Sequence, residues 1–154
     1  MRVLLCDTET SGLDYGKGDR VIEVAAALYD TKHASVIECF SAIIKHDSNG
    51  AEHINGISIG LLTEHGDEPE AVWSRFLGLA EEAVCYAAHR AEFDQSMIGG
   101  SVEAIGFDNW DPAKPWTCTK TDFEWPNQAR GDSLVQLALK LGLGVSSAHR
   151  AMTD

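Results

Sequence analysis

A chain of 154 residues, 44% hydrophobic and 23% charged, is long enough to enclose one core and too apolar to be disordered. Twelve basic against twenty-four acidic side chains leave a formal charge of −12, which argues against binding nucleic acid through a general basic surface. That charge still admits an enzyme whose local field is reversed by bound divalent cations. No apolar stretch approaches a membrane span, and Met1-Arg2-Val3 lacks the layout of a secretory signal, so a cytoplasmic location and no membrane partner are expected. Cys6, Cys39, Cys85 and Cys118 are scattered without a C-x-x-C pair, which predicts buried reduced thiols and argues against zinc.

In chain order, residues 2–6 read as a short buried strand. "RVIEVAAALYD" (20–30) is a second strand, with an alternation that blurs through its alanines, and "SVIECFSAII" (35–44) is a third. The link "DTKHA" is short enough for an antiparallel hairpin. A short helix over 58–64 takes Ser58 as its cap, and residues 69–83 carry a helical stripe that starts at Pro69. "AVCYAAH" (83–89) is a buried strand, followed by a helix from about Glu92 to Glu103. A strand near Trp116–Thr119 leads into helical residues 119–125, and 132–143 form an amphipathic helix capped by Asp132 or Ser133 and closed by Gly142. Three meander strands followed by alternating helices and strands predict an α/β fold, a mixed sheet with helices on its faces. Loops 45–52 and 106–115 carry the weakest signals.

The chemistry begins in "LLCDTETSGLD" (4–14). Strand alternation points Asp7 and Glu9 the same way, and adjacent carboxylates repel unless a cation lies between them. Alone, such a pair is an ordinary solvated strand end. Asp94 stands in "AAHRAEFD", in the first turn of a helix that follows a buried strand, where sites collect in open α/β sheets. Alone, it is a helix-stabilising acid. His149 and Asp154 stand in "AHRAMTD" after the last helix, and each alone is a surface residue.

Taken in order, "DTETSGLD", "AAHRAEFD" and "AHRAMTD" resemble the three motifs of the DEDDh family of 3′→5′ exonucleases, which includes proofreading subunits of bacterial replicative polymerases. The resemblance covers nearly the whole chain. It implies a ribonuclease H-like exonuclease fold, with a central mixed five-stranded sheet flanked by helices, in a single domain over 1–154. It also implies hydrolysis of phosphodiester bonds from the 3′ end, DNA favoured over RNA, with release of nucleoside 5′-monophosphates. Two Mg²⁺ or Mn²⁺ ions would be held by Asp7, Glu9, Asp94 and Asp154, since hard cations prefer carboxylate oxygen. His149 matches the general base. Thr10, Gly12 and Leu13 match the loop that grips the terminal nucleotide, and Phe93 offers a stacking surface or, equally, a core phenylalanine. Arg90 stands where the family usually has Asn, and could contact phosphate or be a surface side chain. Asn55 stands where it often has His. His89 reads as a supporting residue, and His33, His46, His53 and His65 as surface residues.

Expected partners are nucleic acid with a free 3′ end, preferably single-stranded, a polymerase or repair protein, and a second copy in a homodimer. In the family the last aspartate lies within a continuing helix, so the sequence is expected to lack part of that helix beyond Asp154. The competing reading is a catalytically silent module of the same fold that binds nucleic acid or protein. Clustered carboxylates weigh against it, because they destabilise a fold that has no cation to bind.

Overall fold

The structure, a computed structural model, describes residues 1–129, 131–144 and 151. Strand β1 (Arg2–Thr10) is central, and β2 (Val21–Asp30) and β3 (Ser35–Ile43) extend the sheet antiparallel on one side. On the other side β4 (Cys85–Ala88) and β5 (Trp116–Cys118) run parallel to it, giving the order β3-β2-β1-β4-β5. This is the expected mixed five-stranded sheet. β1 is longer than predicted, running through the acidic pair, because Asp7, Thr8 and Glu9 remain paired with Ala25, Val24 and Glu23. The register then shifts: Thr10 pairs with Val21, so Ile22 is an additional residue on β2, and such a bulge bends the strand end.

Among the described residues the helices are α1 (Glu52–Asn55), α2 (Ile59–His65), α3 (Pro69–Glu82), α4 (Ala91–Ala104) and α5 (Leu134–Lys140), and the last four follow the sequence signals closely. Ser58 accepts the Leu61 N–H at the start of α2, and Pro69 opens α3. Ser133, not Asp132, caps α5, in a capping box with Gln136, and Gly142 follows with φ +75°. Two elements were not anticipated, α1 and a single 3-10 turn at Tyr15–Lys17 that Asp14 caps. Residues 119–125, expected to be helical, form a turn over 119–121, a bend at 122 and irregular chain over 123–125. Asp122 accepts the Cys118 N–H and Trp125 Nε1 donates to the Thr119 carbonyl, local bonds that compete with a helix.

The core lies on one face of the sheet. Leu4 and Cys6 of β1 and Val24, Ala26 and Leu28 of β2 pack against Trp73, Phe76 and Leu77 of α3 and Met97, Ile98 and Val102 of α4. The opposite face carries Leu5, Asp7 and Glu9. There a cavity of about 360 Å³, lined by Leu5, Ala25, Ala27 and Ala87, separates the sheet from Leu137 and Leu141 at α5. The blurred alternation of β2 is thereby explained, since Ala25 and Ala27 turn small side chains towards that space. Of the four thiols, only Cys6 is buried; Cys39 is exposed and the other two half-buried, a correction to the expected buried set. Among the surface histidines expected, His46 is half-buried, with Nε2 shielded from solvent.

Candidate active site

β1 lies beside β4, and the two strands run parallel, so their carboxyl ends reach the same edge of the sheet. Asp7 and Glu9 arrive from β1. Asp94 arrives on the first turn of α4, directly after β4. The three acids line one cleft of about 370 Å³, together with Thr8, His89, Arg90, Phe93, Lys120 and the start of α5.

Asp94 is only 3% exposed, and Thr8 Oγ1 donates to its Oδ1 at 2.8 Å. Burial, helped by the Glu9 charge, pushes the Asp94 carboxyl up to about 7, against the opposing pull of the Thr8 bond. Burial also raises the neighbouring Cys6 thiol, further disfavoured as an anion by Asp94 and Asp7. Three carboxyl groups on one cleft supply the oxygen donors a hard divalent cation prefers, and such a cation would offset their mutual repulsion. Among the described residues, however, no group of three or more His, Cys, Asp or Glu is already disposed around one ion position.

His149 and Asp154, expected to complete the set, lie outside the described residues. Ala151, between them in sequence, is described: it is buried, and its N–H donates to Glu23 Oε2 at 3.2 Å. Glu23 faces Glu9 across β1 and β2 and is 1% exposed. Sequence reading passed over Glu23, although an acid inside the apolar run "RVIEVAAAL" was a visible signal.

The loop after β1 is tightly framed. Thr10 is buried and its hydroxyl donates to the Gly12 carbonyl at 2.6 Å, so that hydroxyl is engaged within the loop. Asn55 Nδ2 donates to the Thr10 carbonyl, while its Oδ1 accepts from Asn49 Nδ2 and the Ile57 N–H. A Cβ at Gly12 would fall on the Asp19 carboxylate, which itself accepts the Asp14 N–H at 2.9 Å. Leu13 beyond is 82% exposed. Thr10, Gly12 and Leu13 are not among the cleft's described lining residues, whereas Arg90 and Phe93 are. Phe93 is half-buried, packed against the core and also lining the cleft. Arg90 caps α4 with φ +71°, a left-handed conformation that Asn tolerates better than Arg. His89 supports the wall, its Nδ1 3.1 Å from Thr119 Oγ1. Lys120 lines the same cleft and escaped sequence reading, because a lysine in a polar turn carries no periodic signal.

Sheet order and cleft together define a ribonuclease H-like fold with an acidic site at the ends of its adjacent parallel strands. The sequence model of the exonuclease family, of RNase T type, matches residues 4–154, and the chain belongs to that family. It is 30% identical over 154 residues to DNA polymerase III subunit epsilon of Treponema pallidum, covering 96% of this chain and 68% of that one. It is 29% identical to the PolC-type DNA polymerase III of Thermotoga maritima, covering 98% of this chain but only 11% of that one. The 3′-5′ exonuclease DinG of Bacillus subtilis is 28% identical, with 99% of this chain and 16% of that one covered. Exonuclease I of E. coli, solved with a dT13 oligonucleotide, shares the fold at a TM-score of 0.78 and 22% identity, over 99% of this chain and 38% of that one.

Proposed function

We propose that this chain is a metal-dependent 3′→5′ exonuclease that removes nucleoside 5′-monophosphates from the 3′ end of nucleic acid, with single-stranded DNA favoured. The observation that carries this reading is the convergence of Asp7, Glu9 and Asp94 on one cleft in a member of the exonuclease family. Asp7, Glu9, Asp94 and Asp154 would hold two Mg²⁺ or Mn²⁺ ions, which supply activation of a water and charge neutralisation at the leaving oxygen. Thr8 fixes the Asp94 carboxyl through its hydrogen bond. His149 accepts the proton as water attacks phosphorus and the bond to the 3′ oxygen of the preceding nucleotide breaks. A neutral imidazole, with an ordinary pKa of ~6.5, suits that task. Leu13 offers an exposed apolar edge to the last base, and Phe93 a stacking face.

The preference for DNA is supported by the polymerase-named relatives and by the fold shared with a solved DNA complex. The same relatives support association with a polymerase. The test uses 3′-labelled DNA and RNA oligomers with Mg²⁺ or Mn²⁺. Stepwise mononucleotide release is expected from linear DNA and none from a circle. Binding without turnover under these conditions would establish the silent module instead.

A further inference from the structure

Beside the cleft lies a second hollow of about 670 Å³, between the start of α4 and the end of β5. It is within the roughly 300–1,000 Å³ range of small-ligand sites. Arg90, Phe93 and Lys120 line both spaces. Trp116 and Thr121 belong to the hollow alone, as do the acids Glu92 and Asp122. The Asp122 carboxylate is turned into its own loop, accepting from the Cys118 N–H and Thr121 Oγ1.

In so acidic a chain most cations are engaged. Arg2, Lys17, Lys45, Arg75 and Lys140 pair with carboxylates, and Arg20 and Lys114 donate to backbone carbonyls. Among the described residues, the side chains of Lys32, Arg90 and Lys120 make no such bond. Lys32 is in the turn between β2 and β3, at the far edge of the sheet. The other two stand on separate elements at the shared wall of cleft and hollow. Arg90 does so in a left-handed conformation that is unfavourable for an arginine, a strain of the kind concentrated at ligand-contacting positions.

We propose that Arg90 and Lys120 form a phosphate clamp for the nucleotide preceding the one removed. In this arrangement they hold the phosphate one step upstream of the scissile bond, and the attached base enters the hollow against Trp116. This assignment rests on the exonuclease reading and adds to it a second subsite, selective for a chain over a mononucleotide. Two unengaged cations beside an acidic site give attraction to the backbone without readout of sequence.

The test measures binding of dTMP, (dT)2 and (dT)3 to the full chain, with Ca²⁺ replacing Mg²⁺ to hold back turnover. The expected wild-type gain from dTMP to (dT)3 is about tenfold. Lys120→Ala and Arg90→Ala should each erase most of it, and each should shallow the salt dependence of (dT)3 binding by about 0.7 in the log–log slope. Lys120→Arg should keep both. Thermal melting checks that the variants fold. The clamp is overturned if the wild type gains nothing with length, if Lys120→Ala binds (dT)3 with wild-type affinity and salt slope, or if dTMP and (dT)3 lose the same factor. Failure of the exonuclease reading shows separately, as absence of mononucleotide release by the wild type with Mg²⁺ and Mn²⁺.

Discussion

The two faces of β1 are built on opposite terms. On one, Leu4, Cys6 and Thr8 meet α3 and α4, and the aromatic rings of Phe76, Tyr86 and Trp116 stack in series, with centroids 6.5 and 4.6 Å apart. On the other, Leu5 remains 41% exposed above a cavity walled by alanines, and Asp7 and Glu9 stand half-buried at its end. The period of two along a single strand therefore packs a core on one side and turns Asp7 and Glu9 to the other. A substitution on one face should be felt as a melting temperature, and on the other as a rate.

The largest effect tests the packed face. Phe76→Ala should cost about 3–5 kcal/mol by opening a cavity in the ring stack, read as a fall in melting temperature. Retention of wild-type stability would break the division. Next, Asp7→Asn should lower oligonucleotide cleavage by about 10²–10³-fold or more, while melting stays at or above the wild-type temperature. Loss of folding together with activity would show that the acid face also bears stability.

Asp94 sharpens the contrast through pH. Its folded pKa, near 7, lies above the unfolded value of 3.8, so the metal-free fold holds a proton that the unfolded chain releases. Its favourable contribution is therefore complete below about pH 4 and is lost as the pH rises towards 7. Urea unfolding of chelator-treated protein between pH 4 and 8 should show this decline, and Asp94→Asn should flatten it. The smallest effect concerns Glu23. Glu23→Ala leaves the buried Ala151 N–H without its acceptor, at a cost of about 1–3 kcal/mol, and should speed hydrogen exchange of that amide. Glu23→Gln retains an oxygen acceptor and should restore most of the protection.

The sheet and the main helices were legible because their signals are local. Ser58, Pro69 and Ser133 mark helix starts by chemistry that acts within one turn. The convergence of Asp7, Glu9 and Asp94 was legible from motif order. Residues 119–125 misled because Asp122 and Trp125 close turns through bonds that composition does not reveal, and Pro126 follows. Thr8 and Glu23 escaped for another reason: their partners, Asp94 and Ala151, are distant in sequence, and only the folded sheet brings them together.

The β1–β4 pairing is also a long-range contact on which the acidic cleft depends. β1, β2 and β3 are neighbours in sequence and can zip as successive hairpins, whereas Val3 must find Cys85 and Leu5 must find Ala87 across a long intervening chain. Closing so large a loop is slow, because its entropy is spent before any contact rewards it. Asp7 on β1 and Asp94 on α4 can therefore meet only once β1 and β4 are paired. A ligand that bridges the two acids would bind only chains in which that pairing is made, so its binding free energy adds to the native state and its uptake in a refolding experiment should follow the formation of the β1–β4 pair.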